Sequence, residues 1–325
     1  MKLPRRTFLR LAAGAAALPA LTRIAGAQAY PSRVARIIVG FPPGGATDIQ
    51  ARLIGQWLSE RLRQQFIIDN RPGASGNIGA EAVVRAPADG YTLLQVTSTS
   101  AINATLYRNL NFDFIRDIAP VIYLARGAYV VVVHPSVPAT TIPEFIALAK
   151  ANPGKINFGS GGPGTPQNII CEKFKMMTGV NLVHVPYRGG GPAITDLVGG
   201  HLQVIFAPVP EAIEHIKSGK LRVLAVTTAA RLDVLPDVPA MAEFVHGFEA
   251  SGFGGMGAPR NTPADIINLL NKELNAGLAD ARIRARFIEL GGTPIGGSPE
   301  EFGTVISDAT EKWGRVIKSA GIKVE

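Results

Sequence analysis

Three segments set glycine and proline between the end of a β-rich run and the start of a helical pattern. They are Phe41-Pro42-Pro43-Gly44-Gly45-Ala46-Thr47-Asp48, Gly159-Ser160-Gly161-Gly162-Pro163-Gly164-Thr165-Pro166 and Tyr187-Arg188-Gly189-Gly190-Gly191-Pro192. Glycine lets a backbone approach a ligand closely. A helix start offers unpaired N–H groups and about half a positive charge. Together these make an anion site without a charged side chain. In open α/β sheets such turns lie at the carboxyl ends of strands, where ligands bind. The candidate binding residues are therefore Phe41, Pro43, Gly44, Gly45, Thr47 and Asp48 in the first segment. The second supplies Ser160, Gly161, Gly164 and Thr165, and the third Tyr187, Arg188 and Gly189. Ser98, Ser100 and Asn103 follow another strand end and join them as side-chain donors. Each has a plainer reading. Thr47, Asp48, Thr165 and the Ser98–Asn103 group also suit helix caps, Arg188 a solvated loop charge, and each loop a simple turn. For Asp48 the cap is favoured, because a carboxylate repels an anion.

Catalytic signatures are missing. The chain has no G-x-S-x-G elbow, and Gly154-Lys155 runs into Ile156, so there is no phosphate loop. Gly252, Gly254 and Gly257 match G-x-G-x-x-G, but Ala258-Pro259 follows where a helix should begin. His134, His184, His201, His215 and His246 lack metal-ligand spacing, and His184, alternating in a strand, reads as a packing residue. Neither a catalytic residue, a metal nor a cofactor is expected.

The elements that must position these loops are legible by period. Arg36–Phe41, Phe66–Ile68 and Tyr91–Val96 read as strands separated by helical patterns. A second series runs from Tyr129. Val130–Val133 is uninterrupted and apolar, as strands buried in parallel sheets are, and strands near 156, 182, 203 and 223 follow. Three helices near 266–278, 281–290 and 299–320 close the chain. This alternation predicts parallel sheets with helices on both faces. Two such series exceed one ordinary domain, so two lobes are expected, with crossings near Tyr129 and Phe248–Ala258.

The N-terminus reads separately. Lys2, Arg5, Arg6 and Arg10 precede the apolar run Leu11–Leu21 and small-residue cleavage sites. That order marks a secretory signal, and the run is too short to span a bilayer. Arg5-Arg6-Thr7-Phe8-Leu9-Arg10 gives it a twin-arginine character; the alternative is an ordinary secretory signal carrying two arginines. Cleavage after Ala29 is favoured. The whole chain is +8, and five of its cations lie in this segment, which leaves about +3 for the remainder. Scattered basic residues and few aromatics argue against nucleic acid as partner. A single cysteine, Cys171, excludes an intramolecular disulfide, and its helical setting suits a buried structural thiol.

Read in order, FPPGGATDIQAR, NRPGASGNIGAEAV, APADGYTLL, TSTSAINATLY, DIAPVIYLA, FGSGGPGTPQ, VPYRGGGPAITDLVGG, GKLRVLAV and LPDVPAMAE resemble the Bug family, the extracytoplasmic solute receptors of tripartite tricarboxylate transporters. The similarity runs from about Tyr30 to the C-terminus. It implies a type II periplasmic-binding-protein fold: two doubly wound α/β lobes joined by two crossing strands, the ligand cleft between them, closing like a flytrap. The corresponding division is 1–29 signal peptide, 30–127 plus 249–325 lobe 1, and 128–248 lobe 2. In such receptors first-lobe loops grip a ligand carboxylate, partly through backbone N–H groups and bridging waters; here those are Phe41–Asp48 and Ser98–Asn103. Second-lobe loops, here Ser160–Thr165 and Tyr187–Pro192, contact the distal part. Asn168 stands where the family often has histidine.

The expected function is capture of a small organic carboxylate, a di- or tricarboxylate or an aromatic acid, by a monomeric periplasmic receptor. Its implied partners are the large and small membrane subunits of the transporter. The alternatives are a sensory receptor feeding a two-component system and an exported enzyme on the same fold.

Overall fold

Short runs of β-branched and aromatic residues punctuated by glycine and proline set the rhythm of the chain. The computed structural model describes residues 30–107, 109–320 and 322. The expected export signal, 1–29, lies outside the described residues. The first elements are β1 (Ala35–Val39), α1 (Ala46–Leu62), β2 (Phe66–Asn70), α2 (Asn77–Val84), β3 (Thr92–Thr97) and α3 (Ser98–Leu106). A single turn, α4 (Phe114–Asp117), leads into the long β4 (Ile118–Gly127). Next come β5 (Tyr129–Val133), α5 (Ile142–Ala151), β6 (Ile156–Ser160), α6 (Pro166–Thr178) and β7 (Leu182–Pro186). After them come α7 (Gly190–Val198), β8 (Val204–Pro208), α8 (Val209–Lys217) and β9 (Arg222–Val226). The chain returns as β10 (Gly252–Pro259) and ends in α9 (Ala264–Ala279), α10 (Ala281–Glu289), β11 (Gly292–Pro294) and α11 (Pro299–Ala320).

Two sheets result. One has the strand order β11-β4-β10-β3-β1-β2, the other β7-β6-β8-β5-β9. Each carries helices on both faces, and alternate residues of one strand feed opposite cores. Val131 and Val133 of β5 pack with Phe145, Phe158, Phe174 and Phe206. Val130 and Val132 face Ile194, Leu197 and Ile213 of α7 and α8. In the first sheet Ile37 and Val39 meet α1 and α9, whereas Ile38 meets α2 and α11. Burying such a side chain contributes about 1.5–3 kcal/mol.

The sheets are mixed, which corrects the expectation of parallel sheets. β1 pairs in parallel with β2 and β3, and β6 with β7 and β8. β5, however, is antiparallel to β8 and β9, and β10 is antiparallel to β3 and β4. The apolar run Val130–Val133 reported burial on two faces, not direction. The reason for the reversal is connectivity. The chain leaves the first sheet at Gly127, where β4 ends, and enters the second at Tyr129, opposite Pro208 at the end of β8. It leaves at Val226 and re-enters at Gly252, opposite Gly127. A strand that starts at the edge where others finish must run against them.

The glycines of β10 are a packing requirement. A Cβ at Gly255 would collide with the Phe302 ring and stand 2.6 Å from the Ile122 carbonyl, and one at Gly257 would stand 2.6 Å from Ile118. Phe302 is buried on Tyr123 and Phe253, with centroid separations of 5.7 and 6.0 Å. Gly252, Gly254 and Gly257 thus belong to a strand and not to a dinucleotide loop. Gly255→Val is expected to lower unfolding free energy by about 1–3 kcal/mol through overpacking. Urea denaturation checks this, and unchanged stability would contradict the close approach.

Candidate functional site

Five strand-to-helix turns open into one cleft between the sheets. Ala46 and Thr47 begin α1, Ser98 and Thr99 begin α3, and Pro166 and Gln167 begin α6. Gly190 and Gly191 begin α7, and Pro210 and Glu211 lie in the first turn of α8. The floor is made by the crossing strands through Gly127, Ala128, Tyr129 and Gly252–Gly254, with Phe287 of α10 and Leu290 just after it at one side. The space in this partly open cleft is about 140 Å³. Five helix starts each carry roughly +0.5 of an elementary charge, so the cleft favours an anionic group.

Of the residues expected from sequence, Phe41, Pro43, Gly45, Thr47, Ser98, Gly161 and Thr165 line this cleft. The rest do not, for identifiable reasons. Gly44 makes the turn, at φ +82°, and donates its N–H to Asp48 at 2.9 Å. Asp48 is 2 % exposed and turned inward, accepting from Arg52 at 2.8 and 3.0 Å and from Asn70 at 2.9 Å. Burial pushes its carboxyl up, but the bonds from Arg52, Gly44 and Asn70 outweigh this and hold it below its ordinary range. Asn70 also donates to the Phe41 carbonyl, so this cluster fixes the loop from behind and is unavailable to a ligand.

Ser100 and Asn103 line a separate space of about 10 Å³ on the far side of α3, the size of one water. There Asn103 Nδ2 donates to the Ser75 carbonyl and to Asn77 Oδ1, both at 2.9 Å. Ser160 is wholly buried, with Oγ 2.6 Å from His184 Nε2 and bonded to the Gly162 backbone. That pair is packing: His184 stacks on Phe158 at 4.8 Å, and burial lowers its pKa to about 4. Gly164, at φ +76°, abuts Leu106 and Asn103 across the lobes, and Gly189, at φ +131°, abuts Pro42. Tyr187 and Arg188 line an outer opening of about 370 Å³ with Ser75 and Tyr107. Tyr187 donates to Asp196 at 2.5 Å, and Arg188 is exposed. Cys171 is buried, as expected, and burial raises its thiol pKa. Among the described residues no cluster of His, Cys, Asp and Glu could hold a metal, and no helix is long and apolar enough to cross a membrane.

Sequence reasoning missed Gln50, Tyr129, Gln167 and Glu211, all of which line the cleft. Glu211 bridges the lobes. Its Oε1 accepts from Ala46 N of α1 at 3.3 Å, and its Oε2 from Gln167 Nε2 of α6 at 2.9 Å. Gly190 makes room, since a Cβ there would collide with the carboxylate. A second lobe-to-lobe bond joins Ser75 Oγ to the Pro163 carbonyl at 2.7 Å. Burial raises the Glu211 pKa from 4.5 to about 7, against the lowering effect of the Ala46 and Gln167 bonds. No sequence signal separated Glu211 from an ordinary acidic residue in a first helical turn.

The raised value has a definite sign. The folded chain holds the Glu211 proton more tightly than the unfolded chain. The stability it contributes is therefore fully present below about pH 4.5 and is lost as pH rises through about 7. The loss is at most about 3–4 kcal/mol at ~1.4 kcal/mol per unit. Melting temperature should fall between pH 5 and pH 8, and Glu211→Gln should flatten that fall. Equal slopes in differential scanning fluorimetry would refute it.

The family described as "Tripartite tricarboxylate transporter family receptor" matches residues 50–322. Protein BugT of Bordetella pertussis (strain Tohama I) is 35% identical over 302 residues, 92% of this chain and 93% of that protein. The solved structure "R. palustris Rpa4515 with adipate" has a TM-score of 0.89 at 38% identity, covering 90% of this chain and 99% of that one. MatC (Rpa3494) from Rhodopseudomonas palustris, with bound malate, has a TM-score of 0.84 at 27% identity, covering 89% and 100%.

Proposed function

Because the chain belongs to the tripartite tricarboxylate transporter receptor family, we propose that it is a monomeric periplasmic receptor that captures a small organic carboxylate and delivers it to the large and small membrane subunits of such a transporter. The observation that carries this reading is the convergence of five helix starts, from two separately wound lobes, on one cleft. The adipate and malate bound in two similar structures support carboxylates as the ligand class. A ligand in the cleft lies against the starts of α1 and α3 from one lobe and of α6 and α7 from the other. Its contacts with both lobes are complete only when the lobes are together, so binding shifts the population toward the closed form.

A thermal-shift screen tests the ligand class. Organic acids of four to six carbons, aromatic acids and amino acids should include at least one that raises the melting temperature, by linkage, while sugars and divalent metals do not. A shift with sugars or metals alone would overturn it. Gly45 tests the site. Its backbone is ordinary (φ −78°), and a Cβ would point at Glu211 Oε1, 3.4 Å away, across the cleft. Gly45→Leu should leave the fold intact and weaken binding of that acid at least tenfold by calorimetry. Undiminished affinity would remove this loop from the site.

A further inference from the structure

Glu211 is an acid inside a cleft built for acids. No Lys, Arg or His nitrogen stands within 4.0 Å of its carboxylate among the described residues; its partners are the neutral donors Ala46 N and Gln167 Nε2. Neither partner can leave it easily. Gln167 is 4 % exposed, and its other end accepts from Gly161 N at 2.5 Å. The groups facing Glu211 from neighbouring elements are Tyr129 of β5, Gly190 of α7, Gln167 of α6 and Ala46 of α1, none of them cationic. The carboxylate therefore already takes up the positive ends of helices from both lobes.

The same cleft also offers donors. Tyr129 is 8 % exposed and lines the cavity, and its hydroxyl has no hydrogen-bond partner among the described residues. Ser98 is 1 % exposed; its Oγ accepts from Phe253 N at 2.6 Å, which leaves the hydroxyl proton to donate. The two hydroxyls flank the same glycine. A Cβ at Gly252 would stand 3.0 Å from the Tyr129 oxygen and 3.4 Å from Ser98 Oγ. The cleft thus holds two free hydroxyl donors and the α3 start together with a carboxylate that has no cationic partner among the described residues. Three helix starts near Glu211 sum to roughly +1.5, most of which its own charge cancels. A dicarboxylate would bring a second negative group against it.

Resting on the carboxylate-receptor reading above, we propose that Glu211 selects small zwitterions: one carboxylate held by Ser98, Tyr129 and the first-lobe helix starts, and one ammonium group paired with Glu211. The ligand class is amino acids.

Calorimetry at pH 8, with Glu211 ionised, tests this on the intact exported chain. The probes are length-matched pairs of three to six carbons, each an ω-amino acid and the dicarboxylate of equal length, together with the α-amino acids aspartate, glutamate and lysine. The wild-type chain should bind at least one amino acid tenfold or more tightly than its matched dicarboxylate. Glu211→Gln should weaken that amino acid at least tenfold and strengthen the dicarboxylate. A wild-type preference for dicarboxylates overturns the proposal without any variant, as does a selectivity ratio that Glu211→Gln leaves unchanged. In either case the receptor reading survives, because carboxylates still bind. Failure of every carboxylate, amino acids included, overturns both.

Discussion

Two passages of the chain between the sheets govern the rest of the architecture. At Gly127–Tyr129 and again at Ala250–Gly252 the backbone crosses at the edge where β3, β6 and β8 finish. The crossing is tied laterally: Thr227 Oγ1 donates to the Ala250 carbonyl at 2.7 Å, and its N–H donates to Tyr129 O at 2.9 Å. Because both crossings lie at that edge, the carboxyl ends of the two sheets must face one space. The cleft is a consequence of this connectivity, and so is the reversed direction of β5 and β10.

Within that frame the loops are held from behind. The Asp48, Arg52 and Asn70 cluster anchors the Phe41–Gly45 turn without entering the cleft. An acid so placed stabilises its helix start and leaves the outward N–H groups to a ligand. Glu211 has the opposite posture: it is aimed into the cleft, with only neutral donors around it. Two acids in the first turns of two helices thus have different chemistry, set by whether an arginine stands beside them.

That contrast shows how far the sequence could be read. The strand–glycine–helix signature located Gly45, Thr47, Gly161 and Thr165 at the cleft, because it reports a local geometry of a few residues. Asp48 stood among the candidates too, although the repulsion of an anion by an acid already favoured a capping role for it. Tyr129 and Gly252 were legible only as lobe crossings. Their place on the cleft floor depends on pairing between distant residues, Gly252 with Gly127 and Tyr129 with Pro208, which no period reveals. Ser100 and Asn103 were misplaced because α3 turns them to its far face. The direction of β5 escaped for a related reason, since hydrophobic runs record depth and not polarity.

One contact between the lobes extends beyond the cleft. Ile169 of α6 packs with Ile102 and Leu106 of α3 and with Trp313 and Ile317 of α11, so the C-terminal helix rests on both halves of the molecule. Any hinge motion that separates α6 from α3 must return this greasy seam to water, at about 25 cal/mol per Å² of apolar surface. That cost favours the arrangement in which the lobes touch, and a guest that brings them together needs to supply correspondingly less.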